Sequence, residues 1–120
     1  MGRRVPDAAW ISRARLQDVP PRRQRAILPT APEFVVEIRF ETDDLGELMD
    51  KMRDWVSDGV LLGLLLNPLT HSARAFAAGH AEPELISDVF TGQKVLPGFS
   101  LDLQALWAAY DELFMEQPAE

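Results

Sequence analysis

Two acidic residues and a lysine, well separated along the chain, are the side chains best suited to chemistry. Asp7 follows a proline, Glu37 lies within an apolar segment, and Lys51 lies in the amphipathic segment that comes next. Two carboxylates on neighbouring strands can bind a divalent metal ion, and a nearby ammonium can stabilise negative charge on a phosphate. The set therefore favours metal-dependent phosphodiester hydrolysis. Since nineteen acidic residues are present, the choice of these two depends on the segments around them.

Hydrophobic periodicity predicts the elements that must position these side chains. Residues 4–12 and 33–40 alternate with a period of two, which is typical of strands. Glu37 falls in the middle of the second strand, and such a local conflict is expected at functional sites. Residues 18–31 contain a proline pair followed by arginines, which predicts a loop.

The clearest helix is predicted over residues 43–58, where apolar side chains recur at spacings of three and four and Gly59 can close the last turn. Lys51 lies on the flank of the apolar stripe, roughly 100° from its centre, and could reach a site at the edge of the sheet. A surface ion pair with Glu47, one turn earlier, would explain the same lysine without catalysis. The sequence leaves both explanations open.

The second half of the chain predicts more of the same sheet. Residues 60–66 are apolar on both faces, which predicts a central strand with cover on each side. Further strands are predicted at 71–77, as an antiparallel partner, at 84–89 and near 94–96. A last helix begins near residues 100–102. Its apolar stripe could pack on its own sheet or on a second subunit, and consists of Leu103, Leu106, Trp107, Tyr110, Leu113 and Phe114.

Length and composition are those of one globular domain. The chain has 120 residues, of which 47% are hydrophobic and 26% charged. No apolar run approaches the roughly 18–20 residues of a membrane span, and we see no secretory signal. The absence of cysteine excludes disulfides and thiolate metal sites. We therefore expect a cytoplasmic protein with no membrane partner.

The net charge of −7 hides an asymmetry along the chain. Residues 1–30 carry seven arginines against two aspartates, whereas residues 31–120 carry five basic and seventeen acidic side chains. The arginine-rich start could contact the phosphates of DNA, or it could be a solvated loop. No glycine-rich phosphate loop and no nucleophile elbow is present, so nucleotide hydrolysis and serine-type acyl transfer have no support.

Four segments, in their order along the chain, resemble one family. It is a restriction endonuclease family abundant in cyanobacteria and other bacteria, within the PD-(D/E)XK nuclease superfamily. The resemblance runs from Val5 to about Leu103, nearly the whole chain. The four segments are Val5-Pro6-Asp7-Ala8-Ala9-Trp10, Ala31-Pro32-Glu33-Phe34-Val35-Val36-Glu37-Ile38-Arg39, Asp44-Leu45-Gly46-Glu47-Leu48-Met49-Asp50-Lys51 and Leu96-Pro97-Gly98-Phe99-Ser100-Leu101.

The resemblance implies an α/β fold, restriction-endonuclease-like, with a mixed central β-sheet flanked by α-helices. It implies that Asp7 and Glu37 are ligands of Mg²⁺, with Mn²⁺ as a substitute, and that DNA is the substrate. The lysine of the superfamily normally lies two residues after the second acid, where this chain has Arg39. The resemblance implies that in this branch the lysine lies on the following helix, which points to Lys51 as the third catalytic residue.

The sequence departs from the family pattern at three places. Members usually carry an N-terminal region before the Pro-Asp strand, so we predict a single, N-terminally truncated domain over residues 1–120. Phe40 stands where a serine is usual, and Asn67 stands where the apolar strand commonly ends in aspartate.

Because of these departures, two other hypotheses stand beside that of a Mg²⁺-dependent endonuclease. One is a catalytically inactive remnant of the fold that acts as a folding, interaction or homodimerisation module, with Arg39 as a structural partner of Glu37. Another is DNA binding through the N-terminal arginines without metal or cleavage.

Overall fold

The computed structural model describes residues 5–23 and 30–115. Seven strands and three α-helices lie in these ranges. In chain order they are β1 (Ala8–Trp10), α1 (Arg13–Gln17), β2 (Phe34–Ile38), α2 (Leu45–Ser57), β3 (Leu62–Asn67), β4 (Ser72–Ala77), β5 (Glu84–Ile86), β6 (Val89–Thr91), β7 (Ser100–Asp102) and α3 (Leu103–Met115). A 3-10 turn over Pro21–Arg23 follows α1.

Strands β1 to β5 form one sheet in sequential order. The pair β2–β3 is parallel, whereas β1–β2, β3–β4 and β4–β5 are antiparallel. Parallel neighbours require a crossover connection, and α2 supplies it. Strands β6 and β7 form a separate two-stranded sheet. The mixed α/β architecture predicted from the family resemblance is confirmed.

Each face of the five-stranded sheet carries its own buried cluster, because side chains alternate along every strand. In β2, Val35 and Glu37 point to the α2 side, and Phe34 and Val36 point to the other. The α2-face cluster consists of Val35, Met52, Trp55, Val60, Leu65 and Phe76. The α3-face cluster consists of Phe34, Leu62, Leu64, Leu66, Ala73, Ala75, Phe90, Leu103 and Trp107.

The observed bounds of helix α2 are close to the predicted ones. Capping contacts at its two ends explain where the helix begins and ends. The Asp44 carboxylate accepts the backbone N–H of Glu47 at 2.9 Å, which satisfies one of the free amides of the first turn. Beyond the helix, Gly59 adopts φ +118°, which favours glycine. The helix lies close against β3, since a Cβ at Gly63 would approach Met52 Cε to 2.6 Å.

The central strand was also predicted well. Strand β3 is buried at every position and pairs with β2 on one side and β4 on the other. Strand β4 is antiparallel to it, as expected. On the far side of the sheet, His71 stacks on Trp107 with ring centroids 5.5 Å apart and contacts the Asp111 carboxylate at 3.0 Å. These contacts hold α3 against the β3–β4 turn.

The predicted strands were wrong in several details. Residues 84–89 form parts of two strands, because the chain leaves the main sheet after Ile86 and enters the small sheet at Val89. Residues 94–96 form a turn in which two amides donate to the Gly92 carbonyl, and no strand.

Two short elements, α1 and β7, were missed altogether. The first strand is only three residues long, since Ser12 already caps α1. The predicted loop 18–31 includes the 3-10 turn, and its residues 24–29 lie outside the described part of the chain.

The apolar stripe of α3 is divided between core and surface. Leu103 and Trp107 are buried against the sheet, whereas Leu113 and Phe114 are exposed. Packing on its own sheet is therefore correct for the first half of the helix only. Among the described residues, no helix has the length and apolar character needed to cross a membrane.

Candidate metal and active site

Glu37 is the buried carboxylate at the centre of the candidate site, with 3% of its surface exposed. Its Oε2 atom lies 3.0 Å from the Lys51 ammonium. The same oxygen accepts a hydrogen bond of 3.2 Å from the indole N–H of Trp55. A carboxylate in such a position needs partners, because burial of an unpaired charge is costly. Both partners of Oε2 come from α2.

The crossover topology explains how α2 reaches Glu37. Since β2 and β3 are parallel, α2 must run back across the sheet towards the start of β3. Lys51 and Trp55 are four residues apart and therefore lie on one face of the helix. This geometry confirms that Lys51 reaches the sheet. The ion pair is with Glu37, while the Arg39 guanidinium donates to the Asp43 carbonyl at 3.2 Å.

Asp7 immediately precedes β1 and is held by the backbone of β2. The register pairs Ala8 with Val36, and its continuation by one residue places Asp7 opposite Glu37 on the same face. Its Oδ2 atom accepts the backbone N–H of Ile38 at 2.6 Å. This hydrogen bond engages one of the two carboxylate oxygens. The structure thus brings Asp7, Glu37 and Lys51 into one neighbourhood, and their catalytic roles remain predictions.

The side chains present fit a divalent cation of the magnesium type. Mg²⁺ is usually held by one or two carboxylates, with waters and substrate phosphates completing its octahedron. Within residues 5–23 and 30–115 no group of three or more His, Cys, Asp or Glu side chains could hold a metal. The predicted ligand pair, Asp7 and Glu37, would supply two carboxylates to such an ion.

Asn67 is buried on this face of the sheet, as Glu33 and Glu37 are. It is 2% exposed, and in the described part of the chain its Oδ1 atom has no hydrogen-bond partner. Strand β3 lies on the opposite side of β2 from β1. Asn67 and Asp7 therefore come from strands on opposite sides of β2.

A second buried carboxylate, Glu33, was missed by the sequence reasoning. The backbone N–H of Ser12 donates to Oε1 at 2.9 Å, and the Arg15 guanidinium lies 3.6 Å from Oε2. Burial alone would raise the pKa of Glu33. Hydrogen bonds from the hydroxyl and backbone amide of Ser12 and from the amide of Glu33 itself, with the Arg15 charge, outweigh it and hold the pKa below its usual range.

Arg15 links the segment at the start of β2 to other parts of the fold. Its guanidinium also donates to the carbonyls of Ala31 at 2.9 Å and of Gly59 at 3.0 Å. It thereby ties α1 to the segments that lead into β2 and β3. The alternation of residues 33, 35 and 37 indicated that Glu33 shares a face with Glu37, but its partners come from α1, which was not predicted.

Trp55 was also missed as a polar partner. In the sequence it belongs to the apolar stripe of α2, and nothing there shows where its N–H points. Its hydrogen bond to Glu37 depends on the helix–sheet packing, which the sequence pattern does not specify.

Comparison with known proteins places this geometry in context. The fold resembles a solved structure described as a putative nuclease belonging to DUF820 from Anabaena variabilis, with a TM-score of 0.60 and 15% sequence identity. The match covers 66% of this chain and 45% of the solved chain, so this chain spans less than half of that protein. A search among curated proteins found no match. Residues 1–104 match the family model described as "Uma2: Putative restriction endonuclease", and the chain therefore belongs to the Uma2 family.

Proposed function

We propose that this protein is a Mg²⁺-dependent endonuclease of the PD-(D/E)XK type that hydrolyses phosphodiester bonds of DNA. The observation that carries the proposal is the Lys51 ammonium 3.0 Å from the buried Glu37 carboxylate, beside the strand that positions Asp7. The family model described as "Putative restriction endonuclease", and a fold shared with a structure described as a "putative nuclease", support the same reaction class.

The three side chains divide two tasks between them in the proposed reaction. Asp7 and Glu37 would hold the metal ion, which when bound supplies an activated water and offsets charge on the phosphate. The side chain of Lys51 is 31% exposed, so its ammonium can leave Glu37 and reach an incoming phosphate. There it would stabilise the negative charge that develops as the phosphodiester is attacked.

Charge distribution supports an approach of DNA from the arginine-rich side. Residues 31–120 carry a large acidic excess, which repels a phosphate backbone, whereas residues 1–30 are basic. Arg13 and Arg22 are exposed, and Arg13 begins the helix that follows β1. Phosphate contacts on this side would bring the duplex near Asp7, at the other end of β1.

The test is calorimetric titration with Mg²⁺, followed by cleavage of plasmid DNA. We expect the wild type to bind one metal ion and Asp7→Asn to lose most of the binding. Lys51→Gln should still bind metal but should not cleave DNA. Glu47→Gln serves as the control, because it removes an acidic side chain of the same helix outside the site. A wild type that binds neither Mg²⁺ nor Mn²⁺ would overturn the proposal.

A catalytically inactive fold remnant is the second candidate, and one observation favours it. Lys51 and Trp55 both contact Oε2 of the buried Glu37 carboxylate, as the partners of a purely structural ion pair would. Phe40, Leu113 and Phe114 are exposed apolar side chains that a second copy of the chain could cover. This candidate predicts no specific metal binding and a dimer in sedimentation experiments. Metal binding by a monomer would exclude it.

A further inference from the structure

We propose that Trp55 is a positioning residue of the candidate metal site, whose indole N–H holds Oε2 of Glu37 so that Oε1 is the oxygen offered to the metal. The inference rests on the proposed function and adds to it a residue and a coordination mode. It comes from the contacts of Glu37, where two donors of α2 converge on one oxygen.

The hydrogen bond between Trp55 and Glu37 lies in the protein interior. Both residues are buried, with exposures of 5% and 3%. An indole N–H can only donate, and a hydrogen bond to a charged acceptor is stronger than one between neutral groups. The hydrogen bond from Trp55 therefore fixes the orientation of the Glu37 carboxylate.

The two donors differ in how firmly they are held. The ring of Trp55 belongs to the α2-face cluster, and its carbonyl accepts the amides of Asp58 and Val60 at 3.2 and 3.0 Å. Lys51 has a flexible stem and a partly exposed side chain. When a metal ion brings positive charge to Glu37, Lys51 can move away, but Trp55 cannot. The indole bond is thus the contact that persists in the loaded site.

Persistence of this bond decides which oxygen coordinates. Trp55 and Lys51 both contact Oε2, so a cation that approaches Oε1 leaves the indole hydrogen bond in place. Partners that orient a metal ligand in this way typically contribute about 10–100-fold to metal affinity. We therefore expect monodentate binding through Oε1 and a substantial loss of affinity when the N–H is removed.

The three tryptophans provide the spectroscopic test. In ¹⁵N-labelled wild type the indole signals of Trp10, Trp55 and Trp107 are assigned by single Trp→Phe variants and followed during Mg²⁺ titration. The signal of Trp55 should shift with the occupancy measured by calorimetry. Trp107 lies on the opposite face of the sheet, and its signal should stay in place.

Calorimetry on the variants completes the test. Trp55→Phe should bind Mg²⁺ about 10-fold more weakly, while Trp107→Phe should bind as the wild type does. Lys51→Met should bind at least as tightly as the wild type, because a competing cation has been removed.

The outcomes separate this inference from the function on which it rests. If the wild type binds no metal, the proposed function fails and this inference with it. If the wild type binds but Trp55→Phe binds equally well, only the role of Trp55 is overturned. Should Trp55→Phe not fold, the wild-type titration decides, since a Trp55 signal that stays fixed while Mg²⁺ binds would also overturn it.

Discussion

The two ends of β2 present the same side chain in two different settings. Glu33 precedes the strand and Glu37 lies near its end, and both carboxylates are buried, on the same face of the sheet. Each is accompanied by one cationic side chain. Burial and charge pairing alone therefore do not separate a structural carboxylate from a candidate metal ligand.

The difference lies in which oxygens are engaged and by what. At Glu33 the two oxygens have separate partners: Ser12 donates a backbone amide to Oε1, and Arg15 lies beside Oε2. Arg15 is also bound to two carbonyls, so it cannot move without losing them. The partners of the Glu33 carboxylate are therefore fixed.

At Glu37 both donors share Oε2, and one of them is a lysine that can rearrange. Asp7 lies opposite on the neighbouring strand, which adds a second carboxylate to this end and none to the other. An exchangeable cation next to two acids is the arrangement that a metal can enter. The two ends of β2 therefore differ in the other bonds of the cationic partner, since Arg15 also donates to two backbone carbonyls.

The largest effect is expected from breaking the structural end. Glu33→Ala leaves the Arg15 charge and the Ser12 amide without their acceptor, and should lower the free energy of unfolding by about 3 kcal/mol. Urea denaturation measures this loss. Glu41→Ala, at an exposed position, is the matched control. A loss no larger than that of the control would contradict a structural role for Glu33.

Binding of Mg²⁺ at the Glu37 end of β2 should change the free energy of unfolding by a slightly smaller amount. At a Mg²⁺ concentration of 100 times Kd, a ligand that binds only the folded state stabilises it by about 2.7 kcal/mol. Thermal denaturation of the wild type should show this stabilisation, and Glu37→Gln should lack it. Without Mg²⁺, Glu37→Gln should change the stability little, because Lys51 can reach solvent. Equal stabilisation of both proteins by Mg²⁺ would place the metal elsewhere.

Asn67 extends the comparison to a buried acceptor atom that has no partner within the described part of the chain. Its Oδ1 atom accepts no hydrogen bond from the described residues. Because an unsatisfied buried acceptor is costly, Asn67→Leu should raise the free energy of unfolding by about 1 kcal/mol. Urea denaturation again provides the measurement, with Mg²⁺ titration as the control for the site. A destabilised variant would mean that Asn67 is satisfied by water.

The smallest effect is expected in the pH dependence of stability. The pKa of Glu33 is lowered by folding. Its contribution is therefore complete above the pKa of the unfolded chain and is lost as the pH falls through the lower, folded pKa. The stability difference between wild type and Glu33→Gln should shrink between about pH 5 and pH 3. Denaturation curves across this range measure it, and a difference that stays constant would contradict the linkage.

The sequence predicted the elements whose periodicity is long enough to be unambiguous. Helix α2 has nearly four turns of consistent spacing, and β3 is apolar at nearly every position, so both were placed within two residues. Helix α1 has five residues and too little repeat to be recognised. Strands β5 and β6 are three residues each, and their separation depends on a change of sheet that is a tertiary event.

The candidate site was predictable only in part for a related reason. The family resemblance predicts Asp7, Glu37 and Lys51 as site residues. The predicted place of Lys51 on the flank of the apolar stripe of α2 agrees with its contact with Glu37 in the sheet. The bonds made by Trp55 and Glu33 join residues 18 and 21 positions apart. No local pattern specifies them, because they depend on how helix and sheet meet.

The hydrogen bond from Ile38 to Asp7 has a consequence for handling the protein. Strand β1 ends the sheet on this side, and beyond it the Ile38 amide would be an open donor on an exposed edge. Open donors beside exposed apolar side chains such as Phe40 are templates for pairing with strands of other molecules. The Asp7 carboxylate occupies that donor, so we expect the Asp7→Ala variant to aggregate. Asp7→Asn, whose side-chain oxygen still accepts, is the variant that stays in solution.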